Sequence, residues 1–381
     1  SNFDVYIYKQ TRRYLCIMMF DNRYLSAEKL VAYLDELSTP FNKTEIGRSV
    51  QNRPINALQL GAGPIRVLMW SQMHGNEATT TRALIDLFDY LQHKGAFLLD
   101  ALTLYIIPQL NPDGATAYTR HNANGIDLNR DALILSQPES QLFRRIFEAF
   151  NPQWCFNLHD QRSIYAAGPN GSPATLSFLA PSADEGRTLT PARKLAMEVI
   201  GSIFGALKDD LPQGIARYDD AFNLNCVGDY CTAQSVPTLL FEAGHYPEDY
   251  GRETTRKFVF SALCAALHAI AKPETRPSYE TYLKIPENQT EFVDVLIESV
   301  DLNIDGIWYY NKQLAIQYEE KLAEGHIQFL PSLYAFGTNL SARGHLNFKF
   351  LKPESCFLSE KEDVKNENHR NLQILLQKLN K

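Results

Sequence analysis

The stretch Arg66-Val-Leu-Met-Trp-Ser-Gln72, followed by Met73-His-Gly-Asn-Glu-Ala78 and then by Thr79–Leu91, decides the fold. Its first part is a largely apolar run of strand length. Its last part carries Leu84, Leu87, Phe88 and Leu91 on one helical face. A buried strand that turns directly into an amphipathic helix is the building unit of an α/β layer. The alternation recurs downstream. Ala101–Gln109 reads as a strand, Ser140–Phe150 as a helix, Trp154–Leu158 as a strand, Ala192–Leu207 as a helix, Pro237–Phe241 as a strand and Glu253–Ile270 as a long helix. Upstream, Ser26 caps a helix over residues 26–37, and Thr44–Ser49 and Pro54–Leu60 read as strands. The expected fold is α/β, with a mixed, largely parallel central sheet and helices on both faces.

The texture changes at Lys272-Pro-Glu-Thr-Arg-Pro277. Beyond it, Glu291–Ser299, Gly306–Tyr310, Gln313–Tyr318, His326–Leu330 and His345–Phe350 read as short strands separated by turn residues. The chain therefore divides into an α/β domain over residues 1–275, a small β-rich C-terminal domain over 276–357, and a charged tail over 358–381. In the tail, Leu372, Ile374, Leu375 and Leu379 fit one amphipathic helix.

Composition narrows the class of function. The 381 residues are 45% hydrophobic and 21% charged, which is ordinary globular usage and excludes disorder. The net charge is −7, shared as −4 over residues 1–275 and −3 over 276–381. Neither part has the basic stripe that a nucleic-acid binder needs to neutralise phosphates. No apolar run reaches the ~18 residues of a membrane span. Cys16, Cys155, Cys226, Cys231, Cys264 and Cys356 form no C-x-x-C pair and read as reduced, mostly buried thiols. Tyr14–Phe20 follows Arg12-Arg13 but is short for a signal peptide and lacks a small-residue cleavage site. The expected location is the cytoplasm.

Four segments place polar or ionisable clusters at the ends of apolar strands or in the turns beyond them, where open α/β sheets bind ligands. In Met73-His-Gly-Asn-Glu-Ala78, His74 and Glu77 stand three apart, so that an imidazole and a carboxylate can face one cation. Taken alone, the pair is equally a surface histidine and a glutamate favoured by a helix N-terminus. His159 closes the strand ending in Phe156-Asn-Leu-His159-Asp160. Alone it is a satisfied core histidine, but as a third ligand it completes His, Glu and His, the set of a catalytic zinc site with an open position. Glu242 follows Pro237–Phe241 and is either a strand-end partner for an arginine or a general base beside the metal. The fourth segment is Asn111-Pro-Asp-Gly114 with Arg120-His-Asn-Ala-Asn-Gly-Ile-Asp-Leu-Asn-Arg130. It is either a turn-rich loop or an arginine-bearing loop suited to a carboxylate or a carbonyl oxygen.

Together these pieces resemble the zinc carboxypeptidase family, the carboxypeptidase A-like metallopeptidases. They occur in family order over about residues 25–275: His74-Gly-Asn-Glu77, Asn111-Pro-Asp-Gly114, Arg120, Gly125-Ile-Asp-Leu-Asn-Arg130, His159 and Phe241-Glu242. The resemblance implies one zinc per chain on His74, Glu77 and His159. It implies Glu242 as general base and acid and Arg120 as the oxyanion's partner. It further implies Asn129 and Arg130 as holders of the substrate's terminal carboxylate, and Asp127 as acceptor of a hydrogen bond from His74. The substrate it implies is a peptide or small amide with a free carboxylate. Asn76 stands where the family's animal digestive members carry arginine. The same His-Gly-Asn-Glu form occurs in related zinc deacylases of N-acyl amino acids (aspartoacylase and succinylglutamate desuccinylase-like), which form the alternative reading. An inactive binding protein that keeps the fold is a third. The family's substrate-closing tyrosine has two candidates here, Tyr218 and Tyr230.

Overall fold

The computed structural model describes residues 23–361 and 364–379. The Tyr14–Phe20 stretch lies outside them. The elements run α1 (Ala27–Asp35), β1 (Asn42–Arg48), β2 (Pro54–Leu60), β3 (Ile65–Ser71), α2 (Thr79–His93), β4 (Leu102–Ile107), α3 (Pro112–Ala117), α4 (Pro138–Phe150) and β5 (Trp154–Asp160). They continue β6 (Tyr165–Ala167), β7 (Leu176–Leu179), α5 (Pro191–Leu207), β8 (Ile215–Arg217), α6 (Val227–Ala233), β9 (Thr238–Ala243), α7 (Glu253–Ala271) and α8 (Glu280–Leu283). The last are β10 (Asn288–Thr290), β11 (Phe292–Ile304), β12 (Ile307–Ala323), β13 (His326–Gly337), β14 (Arg343–Leu358) and α9 (Lys365–Lys378).

The main sheet is mixed and has the order β1-β2-β4-β3-β5-β9-β7-β8. Its centre, β4-β3-β5-β9, is parallel. The apolar run of β3 is explained by burial on both faces. Val67 and Met69 join a core with α2, α5 and α7, whereas Leu68 and Trp70 join a core with α4 and α6. Strand alternation then places Asn157 and His159 of β5, and Leu240 and Glu242 of β9, on the second of these faces. Register pairs His159 directly with Glu242.

The turn after β3 is tightly housed. Gly75 lies so close to α3 that a Cβ built on it would sit 1.9 Å from the Gly114 carbonyl carbon. Asn111-Pro-Asp-Gly is therefore not a plain turn. Asn111 Oδ1 accepts from Gly114 N at 2.8 Å and caps the short helix α3, with Pro112 at its first position. Asn111 Nδ2 also donates to Met73 O at 3.1 Å, which fastens α3 to the turn.

A second sheet, β13-β12-β11-β14, is covered by α9, whose Leu372 and Leu375 pack with Val295, Ile297 and Leu314. The two strands expected over Gly306–Tyr310 and Gln313–Tyr318 are one strand, β12. Asn311, at φ +49°, absorbs an irregularity that reads in sequence as a break. Packing of the first core continues past Thr275: Tyr282 and Ile285 lie in it, and β10 pairs with β6.

Gly75→Ala should destabilise the protein by about 3 kcal/mol, because the methyl meets backbone that cannot yield. Gly205→Ala, near the end of α5 with open space at its Cβ, should stabilise by about 0.5 kcal/mol. Urea unfolding of the two variants beside the parent checks both.

Candidate active site

Three chain segments meet at the carboxyl ends of β3, β5 and β9. His74 Nδ1 lies 2.9 Å from Glu77 Oε1, and His159 Nδ1 lies 2.8 Å from Glu77 Oε2. The two Nδ1 atoms are 3.1 Å apart. His74 Nε2 faces Asp127 Oδ1 at 2.9 Å. With that nitrogen donating to Asp127, His74 turns its Nδ1 toward Glu77 and His159. His159 Nε2 is buried and has no hydrogen-bond partner.

These atoms fit a metal ion. The ligand atoms of His74, Glu77 and His159 all lie within 4.8 Å of one another, and all three residues are buried. The Nδ1 separation is close to the ~3.3 Å that two nitrogens take around a tetrahedral zinc bound at ~2.0–2.1 Å. The charge balance points the same way. Burial, then the charges of Glu77 and Asp160, raises the Glu242 carboxyl well above its ordinary range, against Arg120 and Arg252. A divalent cation held by the two imidazoles and Glu77 would bring positive charge to this acidic cluster.

Glu77 and Asp127 behave oppositely to Glu242. Burial works to raise the Glu77 carboxyl, but the charges and hydrogen bonds of His74 and His159 hold it far below the usual range. Burial opposes ionisation of Asp127 too, yet the hydrogen bond and charge of His74 and the charge of Arg120 outweigh it. Arg120 is half exposed over this cluster, with its guanidinium 3.1 Å from Asp127 Oδ2 and 3.4 Å from Glu77 Oε1.

Asn129 and Arg130 follow Asp127 on one 3₁₀ turn, capped by the Asp127 carboxylate that accepts from Asn129 N at 2.9 Å. Asn129 Oδ1 accepts from Val227 N at 3.0 Å, which orients the amide and holds the start of α6. Arg130 is exposed beside it. The two tyrosine candidates separate clearly. Tyr230 lies under the Arg144 guanidinium, 3.9 Å from it, and packs on Phe147. Tyr218 packs edge-on to Tyr165, and burial, then the charge of Glu242, raises its phenol.

Two residues have structural roles that the motifs did not reveal. The N-cap position of α2 is Ala78, which has no side chain to cap with. Asp160 supplies the cap from β5, accepting from Thr79 N at 3.0 Å and Thr80 N at 3.3 Å. Its own N–H donates to Glu77 Oε2 at 3.2 Å. Arg252 ties the strand ends together, donating to Ala243 O at 2.7 Å and Gln161 O at 2.6 Å. No sequence signal marks this cap, because Thr79-Thr80-Thr81 reads as a helix start that could cap itself.

This arrangement has relatives. Residues 30–170 match the zinc carboxypeptidase family, peptidase M14. The match covers the segments that carry His74, Glu77, Asp127 and His159. Carboxypeptidase 2 of Trichophyton rubrum is 30% identical over 108 residues, which is 28% of this chain and 20% of that protein. The chain thus spans about a fifth of that relative's length. Among solved structures, a metallo-carboxypeptidase from Burkholderia cenocepacia superposes with a TM-score of 0.52 at 21% identity, over 66% of this chain and 70% of that one. A metallo-carboxypeptidase from Pseudomonas aeruginosa, solved in complex with (2-guanidinoethylmercapto)succinic acid, superposes with a TM-score of 0.51 at 18% identity, over 65% and 69%. The shared fold includes the mixed sheet, and the cofactor of the family is zinc, for which His74, Glu77 and His159 form the candidate site.

Two outcomes follow from the geometry. Asp127→Asn removes the charge that orients His74, so zinc affinity measured by chelator competition should fall about 10–100-fold. Asp229, in the first turn of α6, is 6% exposed and accepts from Asn223 N at 2.7 Å. Burial pushes its carboxyl up from 3.8 to about 6, against that hydrogen bond and Arg130. A raised folded-state pKa contributes stability that is complete below the unfolded value and lost as pH rises through the folded one. Asp229→Asn should therefore add about 1–3 kcal/mol at pH ~7.5 and almost nothing at pH ~4 in urea unfolding.

Proposed function

We propose that the chain hydrolyses the amide bond next to a free carboxylate, in the manner of a zinc carboxypeptidase. The observation that carries this reading is the convergence of two imidazole Nδ1 atoms and the Glu77 carboxylate beside a buried glutamate, Glu242, paired in register with His159. A zinc ion held by His74, Glu77 and His159 would supply Lewis acidity toward the scissile carbonyl and lower the pKa of the attacking water.

The chain's own residues do the rest. Glu242 takes the proton of the attacking water and returns it to the leaving amine. Its register opposite His159 sets it beside the proposed metal site, where a carboxylate can serve first the water and then the amine. Arg120, anchored on Asp127 and Glu77, offers its remaining N–H groups to the oxygen that gains negative charge. Asp127 keeps His74 in the tautomer that presents Nδ1. Arg130 and the Asn129 amide engage the substrate carboxylate, and Tyr218 flanks the reacting bond. Carboxylate recognition is supported by the succinic acid derivative that the Pseudomonas aeruginosa structure contains.

The test compares a short peptide with a free C-terminus, its amidated form, and an N-acyl amino acid, all with the zinc-loaded chain. The free peptide should be cleaved fastest. Glu242→Gln should lower kcat about 10²–10⁴-fold with zinc retained. Arg130→Ala should raise KM chiefly for the free-carboxylate peptide. Faster cleavage of the N-acyl amino acid would move the assignment to the deacylases, and no cleavage of any of the three would sink hydrolysis altogether.

A further inference from the structure

The C-terminal sheet touches each of the segments that carry the site. From β11, Asp294 is 1% exposed and accepts from Tyr250 Oη at 2.8 Å and Ser163 Oγ at 3.2 Å. Ser163 follows His159 and Asp160, and Tyr250 precedes the strand-tying Arg252. His345 of β14 faces Ser163 O at 2.7 Å and packs at a tilt against His245, three residues after Glu242, with ring centroids 4.2 Å apart. From β12, Glu320 reaches the third segment. Its Oε2 accepts from Tyr118 Oη at 2.5 Å and its Oε1 pairs with Arg23 at 2.6 Å.

Tyr118 is where this grip reaches the chemistry. It ends α3 in the left-handed region, at φ +57° and ψ +48°, a conformation unfavourable for a tyrosine that persists only where surroundings hold it. It is 9% exposed and packs edge-on to Tyr24. The next two residues hold the metal turn through their carbonyls: Thr119 O accepts from Asn76 N at 3.1 Å and Arg120 O accepts from Gly75 N at 3.4 Å. The bond from Glu320 therefore sets the residue from which the Arg120 backbone leaves, and with it the guanidinium over Glu77 and Asp127.

We infer that Glu320 is a positioning residue for Arg120, acting through the Tyr118 hydroxyl, so that the C-terminal sheet is part of the active-site framework. The inference rests on the hydrolytic reading proposed above for the meaning of Arg120. Misplacing a charge-stabilising group by a fraction of an ångström to an ångström costs up to about 10²-fold in rate. A softened rather than broken tether should lie below that limit.

The experiment uses the zinc-loaded full chain with Tyr118→Phe, Glu320→Gln and the pair, each alone and in an Arg120→Ala background. Each single change should lower kcat about 5–20-fold, with KM and zinc affinity by chelator competition within about twofold. The pair should lose no more than Glu320→Gln alone, since Tyr118→Phe removes only the Tyr118–Glu320 bond, whereas Glu320→Gln also weakens the Arg23 pair. In the Arg120→Ala background each should change kcat by less than about twofold. Amide exchange at Gly75 and Asn76 should rise in both variants, while the β11–β12 pairs stay protected. Unchanged kcat in either single variant, or the same fold-loss persisting without the Arg120 side chain, overturns the inference. If the parent hydrolyses nothing, the hydrolytic reading fails and the exchange measurement still decides: unaltered exchange at Gly75 and Asn76 overturns the tether.

Discussion

The buried carboxylate of Glu77 is the point on which the site depends. It lies on the second residue past a glycine turn, yet it contacts His74 from the same turn, His159 and the Asp160 amide from β5, and Arg120 from the loop after α3. A carboxylate removed from water must be fully surrounded by donors or cations, because burying it bare costs far more than a single contact returns. That requirement draws three separate parts of the chain to one place. Asp160 extends it, since its side chain caps the helix that follows Glu77 while its backbone holds Glu77 itself. A shift of α2 relative to β5 would break both at once.

The parallel centre of the sheet is what allows this meeting. Strands β3, β5 and β9 run the same way, so their carboxyl ends lie side by side and each can present a polar residue at the same edge. The faces below that edge are apolar, and the alternation that buries Leu68, Trp70 and Cys155 in one core brings Asn157, His159 and Glu242 to the same side. Site and core are therefore one pattern read at different heights along the strands. Antiparallel pairings bound this centre on both sides: β2 against β4, away from the cluster, and β7 against β9, with Ser177 directly opposite Glu242.

Much of this is visible before any coordinates. The strand-turn-helix of residues 66–91 and the helices over Ala192–Leu207 and Glu253–Ile270 are strongly periodic, and they form within a residue or two of their expected bounds. His74, Glu77 and His159 stand out because each interrupts or closes an apolar run. Other features are hidden for physical reasons. Helix α6 is seven residues long, its N-cap Cys226 makes no side-chain cap, and part of its start is held by Asn129 from nearly a hundred residues earlier. Nothing local announces it. Strand β12 reads as two strands because Asn311 looks like a turn and instead sits in a bulge with its N–H on Asp301. The grip of Glu320 on Tyr118 joins residues 202 apart in sequence, and no spacing rule reaches that far.

The pairing of His159 with Glu242 has a meaning beyond adjacency. Neighbouring strands keep a spacing of roughly 4.8 Å set by backbone hydrogen bonds, whatever the side chains are. The separation between a metal ligand and the proposed base is thus ruled off by the peptide ladder itself, and not by the loops. Loops around the site can lengthen, shorten or change character while that interval holds. A single-residue insertion in β5 or β9 would turn one of the two side chains into the opposite core. Variation in what the pocket accepts is consequently free to accumulate in the connections, while the interval between ligand and base admits almost none.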